Sequence, residues 1–354
     1  MPASNGYWLA VSLVFGLTVG SFLNAVIYRL GKEPPLSLLE PKTSICPSCR
    51  HPLRAVDLVP VLSFLWLKGR CRYCKCSISW RYCGVEILTA ALFGLMYVAG
   101  PGMTEPATTI ALQLFAATLV PVFFIDLATF TIPDSLNILL LVIPVALDVY
   151  DVAHHVAGHA LLAGWAPVSL LGALVGALTF GVVRVVGWVW KRVEAMGLGD
   201  VLLARGMGAM LACMAGGGHN PFWLIPAWVL FSCLSGIVVG PMLIWQRKRS
   251  AAKVGAGPMD HPEDNTMPLS ADEQGGILRE LGDIAWCLVL GDVWNYLATR
   301  LRRNTTGSSE LPAEPWTPLP SAIPFGPFLV IGFIAALLWG GPLTTAYLHY
   351  ALRR

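Results

Sequence analysis

Eight stretches of this chain stay apolar over a length that constrains the fold: roughly residues 7–28, 84–100, 107–125, 136–150, 168–190, 201–216, 222–245 and 324–348. A helix needs about 20 apolar residues to cross a bilayer core, and in lipid only helices and closed barrels satisfy every backbone polar group. The fourth and sixth runs are short, so their edges are soft. Charge is scarce to match: 24 Lys and Arg with 21 Asp and Glu make 13% of 354 residues, against about 25% in soluble chains. Such a chain cannot coat a soluble surface, and disorder is excluded because it needs low hydrophobicity and high charge. A net charge of +3 gives no footing for nucleic acid. The expected fold is an all-α polytopic membrane protein of about eight transmembrane helices.

The first run lacks a basic leader and enters Tyr28-Arg29 without a small-residue cleavage site, so it reads as a retained anchor. Twenty of the 24 basic residues fall on one side of the alternation of spans, ten of them between Arg29 and Arg81. The positive-inside rule then predicts a multi-pass protein with its N-terminus outside and the 32–83 segment in the cytoplasm. Arg353 and Arg354 are the exception. The expected organisation is a first transmembrane helix in 1–31, a small cytoplasmic domain in 32–83, and a membrane core of helices two to seven in 84–245. A cytoplasmic insertion in 246–322 and a last transmembrane helix in 323–354 follow. Within the insertion, Ile277, Leu281, Ile284, Leu288 and Trp294 space an amphipathic helix between about Ser270 and Arg303.

Six of the nine cysteines lie between Cys46 and Cys83. Cys46-Pro47-Ser48-Cys49 and Cys71-Arg72-Tyr73-Cys74 are two Cys-x-x-Cys knuckles with 21 residues between them. Each knuckle presents two thiolates from a tight turn, and two close a tetrahedral structural zinc site. Cys46, Cys49, Cys71 and Cys74 are the expected ligands; Cys76 competes with Cys74, but the paired spacing favours Cys74. The alternative is a redox pair. A closed four-thiolate site leaves no place for a catalytic water, and it holds a segment too small to fold on its own core.

Acids at membrane boundaries are the second signal, because a carboxylate at membrane depth is costly to keep. Asp126 closes an apolar run, Asp134 follows Ile132-Pro133, and Asp200 ends Gly197-Leu198-Gly199-Asp200. Pro133-Asp134-Ser135 before an apolar run is also a helix-start signal, so capping competes with chemistry at Asp134. The charge-derived topology puts Asp126 and Asp200 on different helices near one face. Two adjacent carboxylates do not both ionise cheaply, and such a pair supplies a general base for water and a general acid for a leaving group. Gly197 and Gly199 permit close backbone approach beside the acid.

With these motifs in order, the sequence resembles the bacterial type IV prepilin peptidase family of intramembrane aspartic proteases. The resemblance is carried by Gly20–Asn24 with Tyr28-Arg29-Leu30, the two knuckles, Asp57–Pro60, Gly69–Arg72, Arg81-Tyr82 with Val85-Glu86, Asp126 with Ile132-Pro133-Asp134, Gly197–Asp200 and Ile323–Leu329. It implies cleavage of a short basic leader from prepilins and pseudopilins at the cytoplasmic face of the bacterial inner membrane. Asp126 and Asp200 would be catalytic, with Pro133, Asp134, Gly197 and Gly199 in support. Many members then N-methylate the new terminus with S-adenosylmethionine, and Asp57, Arg81 and Glu86 sit in motifs of such bifunctional members. Ion pairs orienting the cytoplasmic domain are the alternative role for these three. No Gly-x-Gly-x-x-Gly follows a strand, so a Rossmann methyltransferase is excluded. Cys83 stands where the family usually has proline, and the 246–322 block is longer than expected. A peptidase without methyltransferase activity and a carboxylate-relay transporter are the rival readings; against the transporter, the acids lie at helix ends and no inverted repeat is visible.

Overall fold

The computed structural model describes residues 3–32, 35–36, 44–154, 167–191, 196–214, 224–253 and 323–352. The expected amphipathic helix of the 246–322 insertion lies outside them. Among the described residues the regular structure is helical, with two isolated β-bridges and no strand. The helices are α1 (Ala3–Leu30), the short α2 (Leu62–Trp66), α3 (Trp80–Ala99), α4 (Pro106–Thr129) and α5 (Asp134–Ala153). They continue with α6 (Val168–Lys191), α7 (Leu198–Met214), α8 (Leu224–Lys253) and α9 (Gly326–Leu352). Six of these, namely α1, α3, α4, α5, α6 and α8, are long and apolar enough to cross a membrane. The 17-residue α7 and the Gly326–Gly340 stretch of α9 are apolar but shorter. Large apolar side chains face outward, Phe22 at 64% and Val238 at 74% exposure. Water would penalise such a surface and hydrocarbon does not.

The chain divides into two compact units, 1–131 and 132–354. In the first, α1, α3 and α4 pack on one another. A Cβ on Gly16 would lie 2.6 Å from the Ala90 Cα and one on Gly20 2.7 Å from the Glu86 Cα, so α1 and α3 run antiparallel with their backbones in close approach. Small residues four apart are how helices gain packing in lipid, where burial alone gives no drive to associate. Gln113 of α4 ties the trio together, donating to the Ser12 Oγ at 3.1 Å and to the Phe93 carbonyl at 3.2 Å. Ser79 caps α3 by accepting the Arg81 N–H at 3.2 Å, which sets the helix start at Trp80, four residues ahead of the apolar run.

In the second unit α7 is wrapped by α5 and α6. A Cβ on Gly208 would meet the Gly172 carbonyl and the Gly176 Cα at 3.0 Å, so α6 and α7 are antiparallel with backbones nearly touching. Gly199 faces Ile132, Gly206 faces Leu140, and Cys213 reaches the Pro144 carbonyl, so α5 runs parallel to α7 along its whole length. At the far end Asp148, 1% exposed, accepts the Ser169 N–H at 2.7 Å and caps the start of α6. The α8–α9 pair is antiparallel, with Trp228 donating its indole N–H to the Leu329 carbonyl at 3.1 Å.

Candidate functional site

The two cysteine knuckles fold by the same local chemistry. In the first, the Cys46 N–H reaches the His51 carbonyl and the Arg50 N–H reaches the Cys46 carbonyl. In the second, the Cys71 N–H reaches the Cys76 carbonyl and the Lys75 N–H reaches the Cys71 carbonyl. Arg50 (φ 57°) and Lys75 (φ 60°), each four residues after the leading cysteine, take the left-handed turn. Bridges Ile45–Pro52 and Arg70–Ser77 close the bases.

The sulfur atoms of Cys46, Cys71, Cys74 and Cys76 all lie within 4.8 Å of one another. Cys46 to Cys74 is 4.0 Å, Cys46 to Cys76 is 3.9 Å and Cys74 to Cys76 is 3.2 Å. A tetrahedral zinc with arms of about 2.3 Å has edges of about 3.8 Å, so this sulfur cluster fits a closed thiolate site. The set differs from the four that spacing pairs. Cys76 joins because the Arg70–Ser77 bridge folds it back beside Cys71, while Cys49 stands exposed outside the group. Burial raises the Cys46 thiol, but hydrogen bonds from Cys49, Ser48 and Cys71 outweigh it and hold the group below its ordinary value, favouring thiolate.

Asp57 is built into the same segment, its side chain 4% exposed. Arg72 Nε donates to Oδ1 at 2.5 Å, while the Tyr73 hydroxyl and the Arg54 amide donate to Oδ2 at 3.0 and 3.1 Å. Burial pushes its carboxyl up, yet these three donors prevail and hold it below the usual carboxylate value. Arg81 is exposed, with its guanidinium 5.9 Å from the Tyr82 ring centre. Glu86 is 8% exposed on α3 and accepts the Val61 N–H at 2.7 Å. Val61 has φ 58° and ψ −48°, a conformation costly for a β-branched residue by about 1–3 kcal/mol. Asp57 and Glu86 line one cavity of about 550 Å³ between the cysteine segment and the adjoining ends of α1 and α3, and Arg81 does not.

Asp126 lies in the last turn of α4, 4% exposed, and its carbonyl accepts the Phe130 N–H at 2.9 Å where the chain turns left-handed. Asp134 is the exposed first residue of α5 after Pro133, a position where its charge meets the positive helix end. Asp200 is half-buried in the first turn of α7, where its amide donates to the Gly197 carbonyl at 3.2 Å. Its Oδ2 lies 3.5 Å from where a Gly197 Cβ would stand, and Gly199 packs on Ile132. The parallel register of α5 and α7 sets the Pro133–Asp134 start level with the Gly197–Asp200 start. Arg184 has no role in the sequence reading, although a lone cation in the 168–190 run is itself a signal. Buried at 5% exposure on α6, it donates from Nη1 to the Met196 carbonyl at 2.8 Å and anchors the turn that presents Asp200.

Residues 14–99 match the bacterial Peptidase A24 N-terminal domain, and residues 113–241 match the type IV leader peptidase family. A prepilin leader peptidase/N-methyltransferase of Myxococcus xanthus is 31% identical over 96% of this chain and 93% of its own. A protein of the same name from Aeromonas hydrophila is 35% identical over 70% of this chain and 85% of its own. The type 4 prepilin-like proteins leader peptide-processing enzyme of Escherichia coli is 35% identical over 56% and 75%. No solved structure matches the chain. The matched segments carry the cysteine knuckles, Asp126 and the Gly197–Asp200 turn in the expected order, and the relatives align over most of their length: the chain belongs to the type IV leader peptidase family.

Proposed function

We propose that this protein is a multi-pass inner-membrane endopeptidase that removes the leader peptide of prepilins and pseudopilins and then N-methylates the new terminus with S-adenosylmethionine. The observation that carries the reading is the Gly197–Asp200 turn: a half-buried carboxylate at the mouth of an apolar helix, in a chain whose other catalytic candidate, Asp126, is buried at the end of another. One aspartate deprotonates water for attack on the scissile carbonyl. The other, in its protonated form, protonates the departing amine. Pro133, Asp134, Gly197 and Gly199 shape the two helix starts, and Arg184 holds the turn. The names of the relatives support leader processing and methylation together. The basic residues between Arg29 and Arg81 support a cytoplasmic active face and an outside N-terminus, within about eight transmembrane helices.

A structural zinc held by four thiolates from the cysteine segment completes the reading. Zinc there supplies no chemistry to the reaction; the thiolates fix the knuckles that carry Arg72 and Tyr73, and through them Asp57. Co-expression with a prepilin, scored by mass, tests both activities. The wild-type chain should release the leader and add one methyl group, and Asp126→Ala or Asp200→Ala should leave the prepilin intact.

A further inference from the structure

Between the two knuckles, α2 is apolar on both of its faces. Phe64 turns inward and packs edge-on to Trp80, with ring centres 4.8 Å apart. Leu62, Leu65 and Trp66 share the opposite face at i, i+3, i+4 spacing, and all three are exposed, Trp66 to 87%. Val56, Leu58 and Val59 just before α2 are exposed too, as is Trp80, to 72%. Water penalises an apolar patch of this extent, which marks a surface that meets another apolar phase.

The identity of that phase follows from where the patch is pinned. The Ser21 hydroxyl of α1 donates to the Leu58 carbonyl at 3.4 Å, and the Val61 amide donates to Glu86 of α3 at 2.7 Å. Both anchors lie inside helices long and apolar enough to cross a membrane. Glu86 is six residues beyond Trp80, the first residue of α3, and at helical rise that is about 9 Å along the axis. Phe22 and Ile87, the chain neighbours of the two anchors, are exposed large apolar residues. The patch therefore continues the lipid-facing surface of α1 and α3 instead of standing off it in water. Lys68 and Arg70 follow α2, Arg81 follows Trp80, and all three are exposed. Tryptophan beside cations is the pattern of a membrane interface.

We propose that the stretch from Val56 to Trp66, together with Trp80, lies in the bilayer leaflet next to the cysteine segment, where Lys68, Arg70 and Arg81 meet the phosphates of anionic phospholipids. Tryptophan suits this depth because its ring is apolar while its N–H reaches the headgroups. The five residues of α2 are too few to hold a helix unaided, and the bonds to Ser21 and Glu86 set its depth. This placement needs only that α1 and α3 cross the membrane, and it stands apart from leader cleavage and methylation.

The test uses the full-length, metal-loaded protein, labelled with 5-fluorotryptophan, in nanodiscs of phosphatidylcholine and phosphatidylglycerol. Trp66→Phe identifies the Trp66 fluorine signal by its loss, and depth is then read on the wild-type chain. That signal should lose most of its intensity to nitroxide carried on lipid chains and little to a gadolinium chelate in the water. Greater loss to the chelate would place Trp66 in water and overturn the proposal. Protection from both would place it against protein, a second copy or another partner, and would overturn the proposal equally. The charges are read by moving the nitroxide from phosphatidylcholine to phosphatidylglycerol. The wild-type chain should lose more signal to the anionic lipid, a preference of roughly fivefold for each cation at an anionic surface. Lys68→Gln combined with Arg70→Gln, checked for folding by retained metal, should remove most of that preference. Equal loss to the two lipids in the wild-type chain, or a preference undiminished in the double variant, would overturn the role given to the cations.

Discussion

The cysteine segment and the α6–α7 pair reach tight packing by opposite means. Residues 44–79 have little apolar interior and are held by paired turns, three left-handed cations (Arg50, Lys68 and Lys75) and a cluster of thiols. The α6–α7 contact relies on Gly172, Gly176 and Gly208, whose missing side chains let two backbones meet. The first region therefore depends on a few irreplaceable side chains, and the second on their absence. A substitution that is harmless in one should be ruinous in the other.

The largest effect should come from the cysteines, since metal binding in such small domains is itself folding free energy, of order 10 kcal/mol. Cys71→Ser, or chelation of the wild-type chain, should release the metal measured by elemental analysis and open residues 44–79 to protease, while α6–α7 stays protected. Cys76→Ser and Cys49→Ser separate the two candidates for the fourth position: the sulfur geometry predicts greater metal loss for Cys76→Ser.

Next in size is Gly208→Leu. Its branch has no room against the Gly172 carbonyl and the Gly176 Cα, so it should cost about 3 kcal/mol in detergent unfolding, the upper end for overpacking. Gly84→Ala on α3, with nothing within 4 Å, is the control and should be neutral or stabilising by up to about 1 kcal/mol.

The smallest effect should come from Asp57→Asn. Because the folded carboxyl is held below its ordinary value, its stabilisation is complete above about pH 4 and is lost as pH falls through the lowered folded value. Protease resistance of residues 44–79 should thus differ between wild type and Asp57→Asn at pH 6, and the two should converge in acid. A constant difference across that range would remove the charge-based account of Asp57.

The same contrast explains what could be read from the chain. Long apolar runs announce spanning helices because lipid permits little else, and each of the eight runs falls within one of α1 and α3–α9 apart from one or two residues at some ends. Rare residues point to candidate sites, as the knuckles, Asp126 and Asp200 do, and the sulfur cluster draws on both knuckles. Three features depend on tertiary placement and were hidden. Cys76 joins the sulfur cluster through a bridge between Arg70 and Ser77 that linear spacing does not encode. Arg184 finds a backbone carbonyl twelve residues on, across the α6–α7 connection. Asp57 and Glu86 share motifs in sequence, yet only the structure separates the acid with an ion-pair partner from the one that accepts a backbone amide. Helix ends shifted for local reasons: α8 continues to Lys253, beyond its apolar run, because Gln, Arg and Lys propagate a helix well once it has started.

The proposed leader cleavage turns on two carboxylates that stand in different units of the chain. The most direct measurement is intact mass of a co-expressed prepilin with Asp126→Asn and with Asp200→Asn, each checked for folding by retained metal and by protease protection of α7. The account predicts full-length prepilin with its leader in both cases, a rate loss of at least about a thousandfold of the kind seen when a catalytic acid or base is removed. Mature, leader-free pilin at the wild-type rate from either folded variant would contradict it.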